Sequence, residues 1–194
     1  MNKNRLEAFS DGVLAIIITI MVLELKIPSG SGWQEIEHLI PALLSYVLSF
    51  VFIGIYWGNH HHLLHTVKQV TSGIIWANLN LLFWLSLIPI STGWMGENHF
   101  AANTVAVYAS DLLLSGISFY ILMMAVQRNS HDSEALREAF SILNRKGIAS
   151  TIGYFISIPL AFLSPISSAI IFIIISVVWI IPDKIIEKAL KGEK

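Results

Sequence analysis

The residues of this chain best placed to do chemistry sit inside stretches that are otherwise apolar. Asp11 follows Arg5 and Glu7 and stands just ahead of the apolar run Val13–Leu23, which gives out before Pro28. Alone, that run is too short for a hydrocarbon core, which takes about 20 residues. Extended back through Phe9-Ser10-Asp11-Gly12 it becomes a full span, with a carboxylate inside the membrane. An ionisable group there is costly and by default marks a function and a partner. Arg5 lies too far along the same helix for a direct i, i+4 pair. A better source of partners is Trp57-Gly58-Asn59-His60-His61-His62-Leu63-Leu64-His65. Its imidazoles read either as partners of Asp11 or as interfacial groups at a helix end, favoured there by the dipole. His61 and His65, at i and i+4, could hold a metal on one helix face, but two ligands with no evident third make a weak site. Asn78 and Asn80 read as helix–helix glue, and Asp111 is a second intramembrane carboxylate.

The elements that must position these groups are membrane spans. The chain has 194 residues, of which 55% are hydrophobic and only 13% charged. With a mean hydropathy of +0.68 this is not the composition of a soluble globular protein. A formal net charge of -1 gives no electrostatic footprint for nucleic acid. The absence of cysteine excludes disulfides and thiolate metal sites. A cleaved signal peptide is not expected, because Glu7 and Asp11 fall where a basic segment should be and Glu24 and Lys26 precede the small residues.

Apolar windows long enough to span recur six times, at about 6–27, 39–64, 74–94, 103–127, 147–163 and 165–181. Pro41 falls near the start of the second, where a missing N–H costs little, and Pro89 should kink or end the regular part of the third. The fifth holds Pro159. Segment 29–38 reads as a flexible turn leading into an interfacial Trp33. Segment 131–146 reads as an amphipathic helix on the cytoplasmic surface, with Leu136, Ala139, Phe140 and Leu143 at i, i+3, i+4 and i+7 and Gly147 after it. Eleven of the twelve basic residues fall before span one, between spans two and three, between spans four and five, or after span six; only Lys26 falls elsewhere. Six spans with both termini in the cytoplasm satisfy this asymmetry.

One motif is more specific than any of this. Arg5, three residues, then Phe9-Ser10-Asp11-Gly12 resembles the RxxxFSDG signature of the transmembrane protein 175 family of potassium channels, and it stands in the first span, as it does in that family. It occurs once, and there is no internal repeat. The resemblance implies a first helix that lines a pore on an oligomer axis. Bulky aliphatic residues seven and fourteen positions after the motif Phe would form its narrowest rings; these are Ile16 and Leu23. The family's threonine layer is matched by Thr19 and a further aliphatic layer by Ile20. Periodicity alone puts these four residues on one stripe, which by itself also fits helix packing or lipid contact. The family's second-span Trp and His are matched by Trp57 and His60, and the resemblance implies a structural polar network of Arg5, Ser10, Asp11 and His60. Which of the consecutive histidines points inward stays open, with His61 the next candidate.

The expectation is therefore one domain, 1–194, of six transmembrane helices, all-α, with helix one lining the central pore of a homotetramer. Its function would be passive, ATP-independent K⁺ flux of modest selectivity in the plasma membrane of a prokaryote. No TVGYG-like carbonyl filter and no arginine ladder is present in the sequence. No enzyme activity and no cofactor beyond the permeant ion is expected; the partners are further copies of the chain, the bilayer and monovalent cations. Two rivals are a proton-coupled secondary transporter using Asp11 and the histidines, and a metal hydrolase using His60, His61, His65 and a carboxylate.

Overall fold

The computed structural model describes residues 2–28, 30–130 and 134–180, the side chains of Gln34 and Glu35 excepted. They form seven helices: α1 (Lys3–Leu23), α2 (Trp33–His65), α3 (Ser72–Leu85), α4 (Ile88–Glu97), α5 (Ala102–Gln127), α6 (Glu134–Leu163) and α7 (Pro165–Ile180). Side-chain caps begin α1, α3 and α7, the last where the Ser164 hydroxyl accepts from the Ser167 N–H. The Asn2 side chain accepts from the backbone N–H of Asn4, and Thr71 accepts from Ile74 at the start of α3. Pro165 opens α7 at a position where its missing N–H has no helical partner to lose.

Helices α3 and α4 make one span broken in the middle. The expected effect of Pro89 is what the structure has: α3 stops at Leu85, Ser86 and Leu87 tighten the turn with bonds to Phe83 and Trp84, and Pro89 falls in the first turn of α4. Counting that pair as one, five spans are long and apolar enough to cross a membrane; α7 is a shorter apolar helix over its 16 described residues.

Two boundary readings are corrected. Segment 131–146 is not a separate surface helix: from Glu134 it is the first part of α6, which runs unbroken through Gly147. At 30 residues α6 reaches about 45 Å, against a hydrocarbon core of about 30 Å, so its charged first turns extend beyond the membrane while the helix continues. The apolar stripe itself is used: Leu136, Ala139, Phe140 and Leu143 line a small gap with His62, Leu63 and Thr66 of the α2 end. Likewise residues 33–38 are already helical, and Pro41 sits inside α2 rather than at its start. The lysines after Ile180 lie outside the described residues.

The core is where α5 packs against α3, α4 and α6, and α2 against α1, α4 and α7. Tyr108, Phe172, Phe52 and Tyr154 meet edge-on or tilted at its centre. Hydroxyls close the polar gaps between helices: Ser49 Oγ lies 2.6 Å from Thr92 and 2.8 Å from Tyr108, and Asn80 donates to Ser118 at 2.7 Å. Ser91 donates to the buried Asp111 at 2.8 Å, while the other Asp111 oxygen has no partner among the described residues. Helices also approach closely at glycine. A Cβ on Gly96 would lie 2.7 Å from the Ala42 Cα, so α4 meets the backbone of α2 there.

Contacts between loops sort the ends of the bundle. The Lys3 ammonium donates to the carbonyl of His65, and Lys68 N–H donates to the carbonyl of Asn129, so the start of α1 and the α2–α3 and α5–α6 connections share one end. At the other end Lys26 pairs with Glu97 at 2.8 Å, and that hydrogen bond and charge hold the exposed ammonium above its ordinary pKa.

Candidate functional site

Helix α1 has two faces of opposite fate. Leu6, Ser10, Leu14, Ile17 and Met21, spaced by three or four residues, are buried against the bundle. On the other side Phe9 is 52% exposed, Ile16 59%, Ile20 42% and Leu23 76%, and Thr19 is exposed among them. Gly12 belongs to the same outer side, and a Cβ there would meet nothing within 4 Å. The four positions expected to form a pore stripe thus lie together on a face that no other element among the described residues covers. Thr19 Oγ donates to the carbonyl of Ala15 at 2.9 Å. With its proton held by the helix, the lone pairs of that oxygen are what the side chain presents outward.

The buried face of α1 carries a polar chain. His60 is 1% exposed, and Ser10 and Asn78 are fully buried. His60 Nε2 lies 2.6 Å from Asn78 Oδ1, Asn78 Nδ2 donates to Ser10 Oγ at 2.9 Å, and Ser10 donates to the carbonyl of Leu6 at 2.9 Å. Because Asn78 Oδ1 only accepts, Nε2 must carry a proton. Every link then has one donor and one acceptor, and three helices are joined through it. His60 Nδ1 has no partner among the described residues.

Asp11 and His61 are not in this chain but beside it, at the exposed seam of α1 and α2. Asp11 accepts from the Trp57 indole at 3.0 Å. The Trp57 ring stacks on His61 with centroids 6.1 Å apart, and His61 Nδ1 contacts Glu7 Oε1 at 2.6 Å. The same Glu7 oxygen is 3.7 Å from His65 Nε2. Arg5 is exposed and is in none of these contacts. So the structure brings Ser10 and His60 together and Asp11 with Trp57, in two groups rather than one, and it turns His60 inward and His61 outward.

Two members lie outside the sites to which the sequence points. Asn78 was read only as helix glue; its signal was a polar residue on the buried stripe Ile74, Ala77, Asn78, Leu81, Leu82 and Leu85 of α3. Glu7 supplies the third group beside His61 and His65, a pairing between helices that spacing along one helix cannot reveal.

Known proteins resemble this one over both the motif and the whole fold. Residues 5–89 match the family model described as endosomal/lysosomal potassium channel TMEM175. A potassium channel of Chryseobacterium sp. (strain P1-3) is 50% identical over 191 residues, 98% of this chain and 99% of its own length. A potassium channel of Streptomyces collinus is 32% identical over 84% of this chain and 85% of its own length. The crystal structure of a lysosomal potassium-selective channel TMEM175 homolog from Chamaesiphon minutus superposes with a TM-score of 0.80 at 26% identity, covering 91% of this chain and 95% of that one. The endosomal/lysosomal proton channel TMEM175 of Gallus gallus is 32% identical over 47% of this chain, but only 21% of its own length. This chain is a multi-pass membrane protein of the TMEM175 family.

Proposed function

We propose that the chain is one subunit of a homotetrameric potassium channel, passing K⁺ down its gradient along an axis lined by α1. The observation that carries this reading is the outer face of α1, where Ile16, Thr19, Ile20 and Leu23 stand exposed although the helix begins with buried and bonded groups. One chain offers one such face, so a pore needs several copies around a closed axis. Rings of Ile16 and Leu23 give a constriction that conducts only when wetted and that offers no oxygen in place of lost hydration. The more weakly hydrated K⁺ is then favoured modestly over Na⁺. A ring of Thr19 oxygens between them would supply partial coordination. Ser10, Asn78 and His60 hold the helix at its angle to the bundle without touching the ion. The relatives named as potassium channels support the ion assignment, and the excess of Lys and Arg at one end supports cytoplasmic termini in a prokaryotic plasma membrane.

The test is K⁺ flux from proteoliposomes, comparing wild type with Ile16→Asn and Leu23→Asn. Either substitution should ease wetting, raise flux and reduce the preference for K⁺ over Na⁺. Unchanged flux and selectivity in both would take α1 off the pathway. The seam of Asp11, Glu7, His61 and His65 favours one second reading, proton-coupled transport. It requires K⁺ movement that saturates and appears only when a pH gradient is imposed.

A further inference from the structure

Glu7, His61 and His65 converge although they come from two helices. Their ligand atoms all lie within 4.8 Å of one another. The two histidines are one helical turn apart on α2, and Glu7 reaches them from the first part of α1 with a single oxygen that is close to both rings. We infer that these three residues form a site for a divalent transition metal of the zinc class, bound by two imidazoles, one carboxylate and water, which clasps the start of α1 to the end of α2.

The chemistry of the donors selects the metal. Two imidazole nitrogens and a carboxylate suit Zn²⁺, Co²⁺, Ni²⁺ and Cu²⁺, whereas Ca²⁺ and Mg²⁺ take oxygen sets. Bonds of about 2.0–2.1 Å place tetrahedral ligand atoms roughly 3.3 Å apart. The 2.6 Å contact between His61 and Glu7 would open slightly as a metal replaces the shared proton, and the 3.7 Å gap to His65 would close. These are rotamer-sized movements, and the half-exposed His65 side chain is free to make them without disturbing the core. Orientation is partly set in advance. His61 stacks on Trp57, itself bonded to Asp11, and the His65 ring stands edge-on to His61 at 4.5 Å. Support of this kind around metal ligands raises affinity. Lys3 sets its ammonium on the backbone carbonyl of His65 and has a flexible stem with which to withdraw from a bound cation. Partial exposure of all three side chains leaves an entry path from the aqueous end.

Metal binding is read directly, so the inference stands or falls apart from the channel reading. Full-length protein, freed of any affinity tag and of metal, is titrated with Co²⁺ and Zn²⁺ in detergent. Expected are the intense visible bands of low-coordinate cobalt, about one ion per chain, displaced by Zn²⁺, and a Tm that rises with Zn²⁺ because metal binds the folded state alone. Affinity should fall roughly tenfold or more in His65→Ala and in Glu7→Gln, each checked for the wild-type elution volume, and stay unchanged in His99→Ala at the opposite end. Cobalt spectra no stronger than those of the aqueous ion, or binding equal in wild type, His65→Ala and Glu7→Gln, would overturn the site and leave a carboxylate–imidazole pair that shares a proton.

Discussion

Ser10 shows how much a single hydroxyl can be asked to do. It sits on the buried face of α1, accepts from Asn78 and donates its own O–H to the Leu6 carbonyl. Removing one partner of a buried hydrogen bond strands the other, at a cost of about 1–3 kcal/mol. Asn78→Ala leaves the buried His60 N–H without its acceptor and takes the donor away from Ser10 Oγ, which keeps its bond to Leu6, whereas Ser10→Ala strands only one amide donor. Asn78→Ala should therefore be the more destabilising substitution, by thermal or denaturant unfolding in detergent. The double variant should cost less than the sum of the two single ones, since the shared bond can be lost only once. Strict additivity would mean that the chain is a coincidence of packing rather than a coupled unit. The family resemblance implies one network that holds both Ser10 and Asp11, neighbours in the sequence. Adjacent helical residues point about 100° apart, and that angle sends Ser10 inward and Asp11 to the seam.

At the scale of elements, close approach matters more than propensity. Gly96 lets α4 rest on the α2 backbone: a Cβ there would meet the Ser45 hydroxyl, which can rotate away, and the Ala42 Cα at 2.7 Å, which cannot. Gly96→Ala should lower stability by about 1–3 kcal/mol, an overpacking cost, although alanine is the better helix former. Gly12→Ala meets nothing within the chain and should leave the unfolding of a subunit unchanged or slightly improved. Unfolding midpoints of the two variants measured side by side check this, and equal midpoints would remove the packing argument. The spans themselves were legible from apolar length, and the break between α3 and α4 from Pro89, because both depend on local chemistry. Helix α6 was harder to read. Gly147 looks like a stop, yet around it Ser150 and Thr151 donate back to Lys146 and Gly147, and the bundle carries the helix past it. Where a glycine ends a helix in water, it need not where backbone groups lose their solvent.

The whole molecule poses the question that one chain leaves to its neighbours. Large apolar side chains are exposed on α1, α2, α6 and α7 alike, and exposure alone does not separate a lipid-facing surface from a subunit contact or a pore lining. What sets α1 apart is Thr19 in the middle of the face, the motif that precedes it, and a buried polar chain on its back. The sequence carries no cysteine, so one introduced thiol reports one position. Ile16→Cys puts that thiol where copies would converge on the axis, and a disulfide forms only when Cα atoms come within about 7 Å. Ile152→Cys puts it on an equally exposed face of α6, which in this arrangement points to lipid. Mild oxidation in membranes should therefore give covalent dimers from Ile16→Cys and stop there, since each chain has one thiol, while Ile152→Cys stays monomeric on a denaturing gel. Light scattering of the unoxidised protein in detergent should give four chains per particle. Equal cross-linking at both positions would signal random collision. Failure at Ile16, Ile20 and Leu23 together would mean that the uncovered face of α1 looks to lipid and that the pathway must be sought elsewhere in the bundle.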